Sequence, residues 1–191
     1  MKVLGIMGSP RRGGNTHVLM KRLMDGCRSQ EAKTEIIELA GLEIGECDGC
    51  QACWKGLECP KGDDMLDIYE MIKSSDALVF GTPVYWYGPT GLMKLLMDRM
   101  VYFNCPENRK HIQGKIATYV IPFEDLDLVT ARPVEDFFHR CFDYLELEFI
   151  KGIVVPGVNA KGEVSRLGAV MDEAYILGQN IASIDADKKI D

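Results

Sequence analysis

Short runs of nearly continuous apolar residues alternate along the chain with longer stretches in which apolar residues recur every three or four positions. The runs at 2–8 (KVLGIMG), 34–39 (TEIIEL), 77–85 (ALVFGTPVY), 115–123 (KIATYVIPF) and 149–158 (FIKGIVVPGV) predict five β-strands. The third is apolar almost throughout, as a strand covered on both faces must be. Residues 16–28 carry Val18, Leu19, Leu23, Met24 and Cys27 at helical spacing. Asp63 and Asp64 can cap a helix whose apolar face is Met65, Leu66, Ile68, Tyr69 and Ile72. Further helices are expected at 89–103, 131–145 and 168–183, the last followed by a polar tail at 185–191.

Strands that alternate with helices imply an α/β fold in which a parallel sheet carries helices on both faces. Five strands suit the flavodoxin-like doubly wound order, which places a ligand at the C-terminal ends of the strands. The chain has 191 residues, 47% hydrophobic and 27% charged, and this predicts a single domain over 1–191 that needs no disulfides to fold. A net charge of −7 argues against nucleic acid or an anionic membrane as a partner. The apolar run before Gly8 is too short for a signal core, and no later stretch approaches the ~18 apolar residues of a membrane span. A cytoplasmic location with reduced thiols is therefore expected.

Two predicted strand ends carry candidate chemistry. GSPRRGGNTH (8–17) joins the first strand to the first helix, where backbone N–H groups and the helix dipole favour an anion. Its glycines allow close backbone approach, Arg11 and Arg12 supply charge, and Ser9, Asn15 and Thr16 supply donors. G-x-G-x-x-G is absent, and Gly14 stands where a Walker A loop needs lysine, so a phosphate monoester fits better than a nucleoside triphosphate. The plainer alternative is a glycine-rich turn with Asn15 or Thr16 as a helix cap. TPVYWYGPTG (82–91) follows the third strand and gathers Tyr85, Trp86 and Tyr87. Alone, such aromatics would usually complete a core or an interface. Opposite a phosphate loop they suggest a flat ring with a phosphate tail, meaning FMN.

Four of the seven cysteines lie within 47–59, spaced C-x₂-C-x₂-C-x₅-C-P. Structural zinc sites pair two C-x₂-C knuckles across a longer gap, and no histidine lies nearby in sequence. The run is closer to the bacterial ferredoxin pattern, and its longer last spacer, with Gly56, lets Cys59 return to the same cluster. One [4Fe–4S] cluster is the chemistry this spacing permits. Metal-free redox thiols, zinc and a disulfide are the alternatives. Cys27 and Cys141 read as structural, Cys105 has no evident partner, and His17, His111 and His139 read as packing or hydrogen-bonding residues.

Together, GSPRRGGNT, CDGCQACWKGLECPKGDDM and GTPVYWYGPTGLMKLLMDR resemble the iron–sulfur flavoprotein branch of the NADPH-dependent FMN reductase family, over residues 1–100. The resemblance implies a flavodoxin-like fold, FMN, electron transfer and a homodimer or homotetramer. It implies that Ser9, Arg11, Gly14, Asn15 and Thr16 hold the FMN phosphate. Pro83, Val84, Tyr85, Trp86, Tyr87 and Gly88 would line the ring, and Cys47, Cys50, Cys53 and Cys59 would bind the cluster. The second half departs from the family pattern. Residues 119–133 hold no glycine but include Glu124, Asp125 and Asp127. Acidic groups disfavour an anionic reduced flavin, so this loop is expected to point elsewhere.

The leading expectation is an FMN-dependent oxidoreductase whose cluster links a one-electron carrier such as ferredoxin to a small-molecule acceptor reduced by the flavin. No catalytic side chain is assigned, because the cofactors carry the chemistry. The alternatives are a cluster-free reductase of FMN or quinones that takes NAD(P)H as donor, and a non-enzymatic flavodoxin-like carrier or redox sensor.

Overall fold

The computed structural model describes residues 1–187. Six strands form one parallel sheet: β1 (Lys2–Met7), β2 (Lys33–Glu38), β3 (Ala77–Gly81), β4 (Ile116–Pro122), β5 (Glu148–Phe149) and β6 (Ile153–Val155). The order is β2-β1-β3-β4-β5, with β6 also paired to β4. This is the expected flavodoxin-like winding, with its switch point between β1 and β3.

The strand expected at 149–158 is divided. β5 pairs with Ile116 and Ala117, β6 with Val120 to Pro122, and the chain leaves the ladder between them. The cause is the ring of Tyr119. A Cβ on Gly152 would stand 1.9 Å from Tyr119 Cε2, and the Lys151 carbonyl is drawn onto the Thr118 hydroxyl. β3 stops at Gly81, short of the predicted 85, where Pro83 and a turn take over.

The helices are α1 (Asn15–Ser29), α2 (Met65–Lys73), α3 (Gly91–Arg99), α4 (Pro106–Arg109), α5 (Arg132–Leu145) and α6 (Gly168–Asp187). α3 is shorter than expected, because the chain tightens into a 3₁₀ turn over Met100–Asn104 and Pro106 opens the short α4. The tail expected at 185–191 is helical as far as Asp187, and its remainder lies outside the described residues.

Strand side chains alternate between the sheet's two faces. Leu4, Ile6, Leu78, Phe80, Ala117 and Ile121 pack under α2, α3 and α5, where Ile68, Met93, Phe138 and Phe142 meet them. Val3, Met7, Val79, Val120 and Ile153 pack under α1 and α6, against Leu19, Met20, Leu23, Leu177 and Ile181. Each such buried side chain larger than alanine contributes about 1.5–3 kcal/mol. α1 and α6 meet backbone to backbone: a Cβ on Gly26 would stand 2.0 Å from Tyr175 O, and one on Gly178 would stand 2.0 Å from Leu23 O.

Candidate functional site

Parallel strands deliver their C-terminal ends to one edge of the sheet, and the loops leaving β1, β3, β4 and β6 meet there. Gly8 N donates to Gly81 O at 2.7 Å, closing the ends of β1 and β3 together. Thr90 secures the same junction. Its buried hydroxyl donates to Gly8 O at 2.7 Å and accepts from Met93 N at 3.2 Å, which caps α3. Thr90 N in turn donates to Thr82 Oγ1 at 3.1 Å.

These loops border an open cleft lined by Ser9, Arg11, Gly14, Asn15, Thr16, Pro83, Val84 and Tyr85, with Pro122, Phe123, Glu124, Val158 and Asn159 opposite. The first turn of α1 holds no acidic residue, and no side chain caps its N-terminus. Its N–H groups are therefore open to an anion. Asn15 lines the cleft, yet its side chain is already engaged: Nδ2 donates to Ala160 O at 3.1 Å and Oδ1 accepts from Val164 N at 3.1 Å. It ties the start of α1 to the loop after β6.

The aromatic loop divides at Tyr85. Pro83, Val84 and Tyr85 face the cleft, whereas Trp86, Tyr87 and Gly88 are not among its lining residues. Tyr85 and Gly88 exchange both backbone hydrogen bonds, at 2.9 and 3.0 Å, around a two-residue turn. Trp86 (φ 48°) and Tyr87 (φ 60°) both sit in the left-handed region, which two-residue turns of this hand usually fill with asparagine or glycine. Trp86 is 97% exposed. Such strained, exposed backbone is concentrated at functional sites.

The acidic loop after β4 does not turn away as a unit. Glu124 lines the cleft and accepts from Asn159 Nδ2 at 2.9 Å. Asp125 instead accepts from Thr130 Oγ1 and Asp127 N, which holds its carboxyl below the usual range, and Asp127 accepts from Val129 N. These two carboxylates fold the loop upon itself. Sequence patterns gave no signal for Asn159, because it reaches the cleft only through the β6 turn.

The four clustered cysteines line a second, partly open cavity, together with Asp48, Lys61, Tyr69, Arg99 and Tyr102 among others. Gly49, Gln51 and Gly56 all have positive φ and coil the segment around this space. Among the described residues, no three His, Cys, Asp or Glu side chains converge to hold a single metal ion. Burial pushes the Cys53 thiol up, with Cys105 as a secondary contributor. Asp48 accepts from Cys50 N and pairs with Lys61 at 3.2 Å, and both contacts lower its carboxyl.

Arg99 stands behind the cysteines with its side chain only 2% exposed. Its guanidinium meets both Asp63 oxygens, at 2.6 and 3.0 Å, as well as Gly45 O at 3.0 Å and Cys59 Sγ at 3.2 Å. Burial opposes both charges of the pair. The contact nonetheless raises Arg99 and lowers Asp63. Asp63 was expected only as a helix cap. The two cavities share no lining residue; Arg99, at the C-terminal end of α3, lines the cysteine cavity, whereas no α3 residue lines the strand-end cleft.

Comparison with known proteins agrees with this geometry. The family model for NADPH-dependent FMN reductases matches residues 1–123. An iron-sulfur flavoprotein of Methanocaldococcus jannaschii is 40% identical over 99 residues, covering 52% of this chain and 51% of that protein. A second iron-sulfur flavoprotein of the same organism is 32% identical over 142 residues, 72% and 71% of the two chains. The chain thus spans about half the length of the first of these relatives. Among solved structures, NAD(P)H:quinone oxidoreductase from Methanothermobacter marburgensis superposes with a TM-score of 0.77 at 16% identity, covering 95% of this chain and 98% of that one. At that identity the likeness speaks for the fold alone. The chain belongs to the NADPH-dependent FMN reductase family, in its iron–sulfur flavoprotein branch.

Proposed function

We propose that the chain is an FMN-dependent electron-transfer oxidoreductase, with FMN in the cleft at the strand ends and a [4Fe–4S] cluster on Cys47, Cys50, Cys53 and Cys59. The observation that carries this reading is the single cleft into which Ser9, Arg11, Gly14, Thr16, Pro83, Val84 and Tyr85 all open. Open first-turn amides and Arg11 suit a phosphate, and the walls at 83–85 and 122–124 suit a flat ring. Asn15 acts by fixing the α1 terminus against 160–164. Trp86 and Tyr87, exposed at the turn tip, act on whatever approaches the mouth.

Four thiols around a cavity suit a cluster, in which each thiolate takes a different iron, better than one ion held by all four. The relatives' designation as iron-sulfur flavoproteins supports the same reading. When bound, the flavin exchanges one or two electrons and the cluster exchanges one. The protein's part would be to hold them in two separate cavities and to set the charge around each. A ferredoxin-like protein or NAD(P)H is the proposed donor and a small molecule the acceptor. Because the two cavities are separate within one chain, a homodimer or homotetramer could bring the cysteines of one protomer to the flavin of the next. Among the described residues no helix is long and apolar enough to cross a membrane; a cytoplasmic setting is part of the proposal.

The test is a visible spectrum of protein purified without oxygen, with iron and acid-labile sulfide counted per chain. Flavin bands with about four iron and four sulfide support the full reading. Flavin without iron after anaerobic reconstitution leaves the cluster-free NAD(P)H-dependent reductase. Absence of flavin overturns the assignment of the cleft.

A further inference from the structure

Arg99 is the largest side chain in the fully buried core, and it arrives from the far end of the helix that starts at the proposed flavin loop. Its two terminal nitrogens make four contacts. Nη1 donates to Asp63 Oδ2 and Gly45 O, and Nη2 donates to Asp63 Oδ1 and Cys59 Sγ. Gly45 and Asp63 lie 18 residues apart at the two ends of the cysteine segment, and Gly45 N also donates to Asp63 Oδ2 at 2.9 Å. The backbone of Arg99 is itself held, because its carbonyl accepts from Tyr69 Oη at 3.0 Å. An ion pair with Asp63 alone would neutralise the arginine. The contact with a cysteine sulfur goes beyond that need.

We propose that Arg99 is a positioning residue for the thiolates: it fastens both ends of the 45–63 loop and directs an N–H at Cys59 Sγ, orienting that sulfur and stabilising negative charge on it. The proposal rests on the four-thiolate cluster reading above. Hydrogen bonds to cluster sulfurs raise the reduction potential, because uptake of one electron adds one negative charge that the donor then shares. Arginine suits this role, since its planar fork stays charged while serving a carboxylate and a sulfur together.

Breaking a buried ion pair from one side is strongly destabilising, so the decisive variant is the double substitution Arg99→Gln with Asp63→Asn, which keeps the pair's net charge but removes the guanidinium donor. Arg99→Lys is the companion. It retains the ion pair but not the fork, and it decides the question if the double variant does not fold. Each protein is reconstituted anaerobically with iron and sulfide. The readouts are iron per chain, the electron paramagnetic resonance spectrum after dithionite reduction, and the ratio of reduced to oxidised cluster at a fixed potential. The expected result is a ratio about tenfold lower than wild type with an altered spectrum, the size of a hydrogen bond to a charged acceptor. Full iron loading with unchanged ratio and spectrum overturns the proposal.

Hydrogen exchange of the iron-free proteins tests the fastening separately. Amides of 45–63 are expected to exchange about tenfold faster in Arg99→Lys, as local opening becomes easier. Unchanged exchange refutes the fastening. If wild type itself takes up no iron, the cluster reading fails, and the exchange result alone decides the role of Arg99.

Discussion

Replacing Thr90 by valine tests whether one hydroxyl joins the two loops proposed to hold the flavin. Thr90 is 2% exposed, and valine matches its shape while removing the hydroxyl. Two bonds are lost: the 2.7 Å bond to Gly8 O and the 3.2 Å cap to Met93 N. Loss of a helix cap costs about 1 kcal/mol. A buried acceptor deprived of its donor costs a further ~1–3 kcal/mol. The expected destabilisation of the apoprotein is therefore about 2–4 kcal/mol, read from the urea midpoint at unchanged slope or from a melting temperature that falls roughly 2–4 °C per kcal/mol. Gly8 opens the proposed phosphate loop, so FMN affinity should fall about tenfold, measured by quenching of flavin fluorescence on binding. Thr90→Ser keeps both bonds and should lose less than half as much stability. If the valine variant unfolds within about 1 kcal/mol of wild type and binds FMN equally well, the hydroxyl does not join the loops.

Three further outcomes are expected. Gly178→Ala would place a methyl 2.0 Å from Leu23 O, a backbone atom in a packed helix, so α1 and α6 must separate; a loss of about 1–3 kcal/mol or more is expected in chemical unfolding, and a neutral result would mean the helices slide freely. Burial pushes the Cys27 thiol up from near 9 to about 12. Because the fold favours the protonated thiol, this contribution is complete below the unfolded value near 9 and is lost as pH rises from there to about 12, at about 1.4 kcal/mol per pH unit. Cys27→Ala should therefore show a shallower alkaline loss in unfolding experiments at pH 8 to 11, and parallel curves would contradict this. Glu124→Gln should favour reduced over oxidised FMN about threefold to tenfold, in the ratio of the two dissociation constants, by removing a charge from the cleft wall. An unchanged ratio would place Glu124 away from the ring.

Much of the architecture could be read from local patterns. A buried strand shows as an apolar run and an amphipathic helix as a period near 3.6, so β1 to β4, α1, α2 and α5 fall close to their expected places. The division of the last strand could not be read this way, because it depends on the Tyr119 ring pressing on Gly152, 33 positions along the chain. Aromatic composition marked Tyr85, Trp86 and Tyr87 alike. Their separation into one residue lining the cleft and two at an exposed tip comes from the left-handed turn, which the sequence YWYG does not advertise.

The order of residues alone sufficed for the doubly wound winding, the glycine-rich loop after β1 and the compact cysteine run, because each rests on neighbours within about one turn or one strand. Folding decided the rest. Asn15 bonds to Val164 across 149 positions, Arg99 to Gly45 across 54, and Glu124 to Asn159 across 35. No periodicity encodes such contacts. They arise where the parallel sheet delivers its loops to one edge and where α3 carries a buried cation under the cysteines, so the cleft's third wall and the brace behind Cys59 exist only in the folded chain.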